Sequence, residues 1–285
     1  MRDRQYRLDR LSSHTLTNTG NTAEKLRKVN KLMTTRLEME KEIDVENPVF
    51  IEGLAGIGHI GKTTVSYLVH HLDVEKVGEL YSHHFPPYTI ISDEKTVDLL
   101  KNNIYQYRNE DGQDLVLIEG NAQASNPPGH YEVAEKIMSL VEKAEASEVI
   151  TVGGYGTGDV VEDPDVFGAV SKEELKKEYS EHGIKFGHDI GQIVGASGLI
   201  LAMAAEKDYK GLCMLGETPG FLMSDPKATE AALECIEKVL DIELDFSDLD
   251  EKIQESQEVL KKLQNLQQQQ GQEQDPSNSD LGYIG

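Results

Sequence analysis

The chain has 285 residues, 38% of them hydrophobic, and its 51 Asp and Glu outnumber its 28 Lys and Arg to give a formal net charge of −23. That length can bury the core of one large α/β domain with appendages, since a single core extends to about 250 residues. The charge excludes nucleic acid as a partner, because its phosphates would be repelled, and no apolar run approaches the roughly 18 residues that a membrane span needs. Two cysteines, Cys213 and Cys235, make no disulfide framework and are expected in the core. A soluble cytoplasmic protein without cofactor or metal is therefore expected.

Residues 1–46 carry 10 Lys and Arg against 8 Asp and Glu, so the other 239 carry 18 against 43, a balance of −25. This first segment has a charged helical patch over 23–42 and no strand signal. It is expected to be a disordered or loosely helical extension, with Met33 or Met39 as alternative starts.

Residues 48–72, PVFIEGLAGIGHIGKTTVSYLVHHL, read as a buried strand, a glycine turn and a helix. The turn satisfies the P-loop pattern through Gly56, Gly61, Lys62 and Thr63, and the dinucleotide pattern through Gly56, Gly58 and Gly61. One loop cannot serve both. A P-loop needs an acidic metal partner at a nearby strand end, where residues 115–118 offer Glu119. A dinucleotide site needs an acidic residue closing the second strand, which instead ends in Ser82, His83 and His84. A cation at a helix N-terminus calls for an anion or a carboxylate such as Glu119 nearby, unless Lys62 reaches solvent or an interface. The reading preferred is a structural turn. A phosphate- or nucleotide-binding enzyme using Gly56, Gly58, Gly61, Lys62, Thr63 and Glu119 is the alternative.

Strands are expected at 77–82, 88–92, 115–118, 149–152 and 213–215. Adjacent His83 and His84 point to opposite sides of any strand, which suits a surface or interface role better than a shared metal. Helices are expected at 131–144 after an Asn-Pro-Pro-Gly break and at 171–179 opened by a Ser171/Glu174 capping box. Two more follow: one rich in Gly and Ala over 187–205, suited to close packing or subunit contact, and one over 225–240 capped by Asp225 and Pro226. A second glycine loop, 153–158, is expected to face the first across the sheet rim, where ligands sit in open α/β sheets, or else to serve tight packing or a subunit contact. Beyond 245 come a polar helix to 270 and a flexible tail over 271–285 with a hydrophobic-tyrosine tip.

The segments EGLAGIGHIGK, FPPYTIISD, LVLIEGNAQ, VITVGGYGTGD and IVGASGLIL…GLCMLGETPGF…DP, spread in this order over about 47–245, resemble an archaeal member of the proteasome assembly chaperone family. The resemblance implies a doubly wound, mostly parallel α/β sheet similar to the nucleoside phosphorylase architecture. It also implies no enzymatic reaction, a homo-oligomer, and a glycine loop that is a turn. Relatives carry a hydrophobic–tyrosine–any-residue tail that docks between α subunits of the 20S proteasome core particle. Here Leu281, Tyr283, Ile284 and Gly285 are the corresponding partner-binding residues, with Tyr283 antepenultimate and Gly282 before it, so core-particle binding is better supported than gate opening.

Overall fold

The computed structural model describes residues 35–110, 112–187, 189–247, 249 and 253–255. In chain order the elements are β1 (Arg36–Met39), β2 (Val49–Leu54), a single 3-10 turn (Ile57–His59), α1 (Ile60–His71), β3 (Glu75–Tyr81), β4 (Thr89–Ile91), β5 (Val97–Leu99), β6 (Asn102–Tyr107) and β7 (Leu115–Gly120). There follow α2 (Pro127–Lys143), β8 (Glu148–Gly156), β9 (Val166–Val170), α3 (Leu175–Ser180), α4 (Ala196–Glu206), β10 (Lys210–Thr218) and α5 (Pro226–Leu240). Eight strands form one sheet in the order β1-β3-β6-β7-β2-β8-β10-β9, and β4 with β5 makes a separate hairpin.

The sheet is parallel only at its centre, across β7, β2, β8 and β10. Antiparallel strands flank it on both sides: β1, β3 and β6 on one, β9 on the other. The expected doubly wound sheet is thus a mixed α/β sheet with a parallel heart. All six residues of β2 are buried, and so are the first four of β7. Their largely apolar runs, broken in β2 only by the buried Glu52, reflect cover on both faces. On one face α2 and α4 pack with Phe50, Val116, Ile118 and Val149, and on the other α1 and α5 pack with Ile51, Leu115, Leu117 and Ile150.

Several elements differ from expectation for local physical reasons. Residues 36–39 form an edge strand on β3, where the sequence suggests none; Leu37 and Met39 lie on the α2/α4 core, and Thr35 bonds Glu132 and Ser82. β6 turns Asn102 and Gln106 inward, which hides its alternation, and Gln106 is satisfied by the Asp44 amide and the Glu75 carboxylate. The Asn-Pro-Pro-Gly segment begins α2 rather than preceding a break: Asn126 accepts from the Gly129 amide and the prolines fill the first turn. The Ser171 capping box does not form, since its hydroxyl donates to the Tyr209 carbonyl and α3 begins only at Leu175. The small-residue helix starts at Ala196 instead of 187, because Gly195 at φ +103 cannot be helical. α5 is capped as expected by Asp225, which accepts from the Ala228 amide.

Both cysteines are buried and free. Of the polar helix expected over 246–270 only 246, 247, 249 and 253–255 are described, with Leu249 buried on the α1/α5 face. The tail, 271–285, lies outside the described residues.

Candidate functional site

The parallel strands β2, β7, β8 and β10 end at one rim, and the glycine turn lies on it. β2 delivers the chain to Gly56; Gly58 at φ +60 and His59 at φ +51 reverse it, and α1 starts without a side-chain cap. The glycines are required by contact between backbones. A Cβ on Gly53 would lie 2.1 Å from the Gly61 carbonyl oxygen, one on Gly61 2.1 Å from that of Val152, and one on Gly154 2.4 Å from that of Ile57. The first turn of α1 is therefore pressed against β2 and β8; of the glycines in the phosphate-loop pattern, Gly61 is required by this contact and Gly58 by its positive φ, whereas a Cβ on Gly56 would meet nothing closer than 3.5 Å.

The residues that nucleotide chemistry would require have other partners. The Lys62 ammonium donates to the Asn121 side-chain carbonyl, not to Glu119. Glu119 instead accepts from Ser66 on α1, from the Tyr105 hydroxyl at 3.4 Å and from the Asn103 amide at 3.5 Å. Burial, followed by the neighbouring Glu119 charge, pushes the Tyr105 hydroxyl up to about 12. His59 is held below the usual imidazole value by burial and then by Lys62. Thr63 is half-buried. Among the described residues no cluster of three or more His, Cys, Asp or Glu could hold a metal. The alternative nucleotide reading is not supported.

Two side chains clip the rim together: Gln123, to which the sequence reading gave no role, and Asp225, which it read only as a helix cap. Gln123 donates to the Ala55 carbonyl at 3.0 Å and accepts from the Ala196 amide at 3.0 Å, joining the glycine turn to the start of α4. Buried Asp225 accepts from Thr218 at 2.8 Å while its own amide donates to the Gly58 carbonyl at 2.9 Å, joining the turn to β10 and α5. The expected second glycine loop is largely strand: β8 runs through Gly156, in parallel register with β10 to Thr218. Around this rim Ile57, Val160 and Phe221 are exposed, as are Val194 at 84% and Met223 at 82%. An apolar crown over a close-packed turn suits contact with protein better than capture of an anion.

His84 packs inward against the start of α2, bonding Glu132 at 3.1 Å and Asn126 at 3.2 Å, while His83 is exposed.

A mixed sheet covered by helices on both faces, with a packed glycine turn at its rim, defines the class of protein, and the model of the PAC2 family matches residues 50–264, so the chain belongs to that family. Among its relatives is an uncharacterized protein of Methanocaldococcus jannaschii, 36% identical over 259 residues, covering 90% of this chain and 98% of that one. The fold matches Pyrococcus furiosus PbaB, described as an archaeal proteasome activator, with a TM-score of 0.77 and 34% identity over 81% of this chain and 99% of that one. It also matches P. furiosus PbaA, described as an archaeal homolog of proteasome-assembly chaperone, with a TM-score of 0.65 and 26% identity over 84% and 95% of the two chains.

Proposed function

We propose that this chain is a proteasome assembly chaperone-like binding protein and not an enzyme. It contacts the α subunits of the 20S core particle as a cytoplasmic homo-oligomer, using Leu281, Tyr283, Ile284 and Gly285 at its end. The observation that carries the reading is the match to PbaB over nearly the whole of that chain at 34% identity. The absence of support for a phosphate site at Lys62 agrees with it, as does the apolar rim. Among the described residues no helix is long and apolar enough to cross a membrane.

The tyrosine would supply an aromatic anchor with a polar end, and the terminal carboxylate a partner for a lysine. Each contact is weak alone, so several tails on one oligomer would bind together, which raises apparent affinity by about 10²-fold or more. The test is a pull-down of purified 20S core particle by the parent chain, by a form lacking residues 280–285 and by Tyr283→Ala. Both variants are expected to lose binding while keeping fold and mass. Undiminished binding by both would move the contact to the α/β body, and no binding by the parent would overturn the reading. Calorimetry with ATP on the parent and on Lys62→Ala is expected to show no heat that the substitution removes.

A further inference from the structure

One carboxyl is sealed inside the sheet, and a single helix turn covers it. Glu52 shares its side of β2 with Phe50 and Leu54, the side on which α2 and α4 pack. Its neighbours in register are Ile118 on β7 and Thr151 on β8, and Cys213 on β10 stands next to Thr151. Glu52, Thr151 and Cys213 are fully buried. Above this row lies the first turn of α4, a helix that packs on β2, β8 and β10. The Ser197 carbonyl accepts from the Thr151 hydroxyl at 3.2 Å, and the Ser197 hydroxyl donates to the Val152 carbonyl at 3.4 Å. Strands flank Glu52 on both sides, so with the sheet intact water reaches its carboxyl only when that turn moves. The turn is lightly held. α4 has no side-chain cap and starts after Gly195 at φ +103, and its Ala196 amide donates to Gln123 at 3.0 Å. By contrast α2, on the same face, is fixed by the Asn126 cap and two prolines.

We propose that the first turn of α4 is a proton-controlled closure: it seats on β2 and β8 while Glu52 is protonated, and it swings out about Gly195 once that proton leaves. An ionised carboxylate has no place in the closed site. Neither oxygen makes a well-formed hydrogen bond, and no positive charge acts on it. Ile118, Thr151 and Ser197, which face it, do not titrate, and the buried side of α2 is apolar. The Cys213 thiol is pushed up to about 12 by burial and stays neutral. Burial pushes Glu52 itself up to about 7, whereas an opened site returns it to its ordinary value near 4.5. The closed form therefore holds a proton that the open form releases. Opening grows easier as pH rises from about 4.5 to about 7 and levels off above. It breaks the bond between Gln123 and Ala196, shifts Val194 within the apolar rim and uncovers Cys213, which clusters with Leu201 and Ile193. The rim offered to a partner thus depends on pH near neutrality, whichever protein that partner is.

The experiment labels the full chain with a maleimide and reads Cys213 by mass spectrometry, in the parent and in Glu52→Gln, from pH 5 to pH 8. Dividing the parent's rate by the variant's at each pH removes the reagent's own pH dependence. This ratio is expected to rise at least tenfold across the range, because only the parent has a proton to lose. A second measurement separates a moving turn from a chain that unfolds as a whole. Adding 1 M urea at pH 8 should leave the parent's rate at Cys213 within twofold, whereas global unfolding would be sped about tenfold or more. A ratio that stays flat with pH overturns the proposal, and so does a rate that climbs steeply with urea. Should Glu52→Gln fail to fold, hydrogen exchange in the parent decides. The amides of 196–200 are then expected to lose protection between pH 5 and pH 8, beyond the chemical rate and without a response to urea, while those of 133–141 in α2 keep theirs. Protection at 196–200 that holds across this range, or is lost equally in both helices, overturns the closure.

Discussion

Glu52, in the middle of β2, is fully buried, and neither of its carboxyl oxygens makes a well-formed hydrogen bond. Burial pushes its pKa up to about 7, and the Ser197 hydroxyl and Leu54 backbone offset this only in part. Thr151 on β8 and Cys213 on β10 continue the same row across the sheet, and the Cys213 thiol is pushed up to about 12 by burial. Since the folded pKa lies above the unfolded value near 4.5, the folded chain holds a proton that the unfolded chain releases between these limits. Stability is full below the lower value, falls as pH rises toward 7 and is level above it. Glu52→Gln removes this loss. It is expected to be more stable than the parent at pH 8, by on the order of 2–3 kcal/mol, with the difference vanishing near pH 4.5. Denaturant midpoints across that range measure it, and parallel curves for the two proteins would refute the buried-proton account. At Gly61 the argument is steric. Gly61→Ala places a methyl 2.1 Å from the Val152 carbonyl oxygen and is expected to cost about 3 kcal/mol or more, whereas Lys62→Ala, one position on, should cost under about 1 kcal/mol.

Among the elements, those with strong local chemistry were legible from sequence. β2 opens on three apolar residues and β7 on four, and Asp225 before Pro226 announces α5. Elements specified by distant partners were not. β1 needs β3 beside it, and its alternation is only four residues long. β9 is a short strand whose Gly168 makes room for Ile184 and Phe186. At the rim the glycines were visible, but their reason, contact with the Val152 and Ile57 carbonyls, lies in residues far along the chain. Gln123 carried no signal at all, because its two bonds exist only once β7 and α4 have been brought together. β1 also decides where a working chain can begin. A form starting at Met33 retains the strand and is expected to melt within about 2 °C of the parent. One starting at Met39 loses Leu37 from the α2/α4 core, the Thr35 bonds and the cover on β3, a loss of about 2–4 kcal/mol that lowers the midpoint by several degrees. Equal midpoints for the two forms would mean that β1 adds nothing to the sheet.

On the scale of the whole molecule a large like charge weighs against the self-association proposed above. Two copies brought together each carry −23, and their repulsion extends about 10 Å in 0.1 M salt and about 3 Å in 1 M. Pairs made between exposed charges contribute at most about 1 kcal/mol each. Salt weakens both effects, but the repulsion acts between all the charges and the pairs between a few. Association is therefore expected to strengthen as sodium chloride rises from 0.05 to 0.5 M, with the self-dissociation constant falling by roughly three- to tenfold. An interface held by ion pairs has the opposite slope. Sedimentation equilibrium at several salt concentrations reads the sign directly. A dissociation constant that rises with salt would mean that copies of the chain meet through matched charges and not through an uncharged contact.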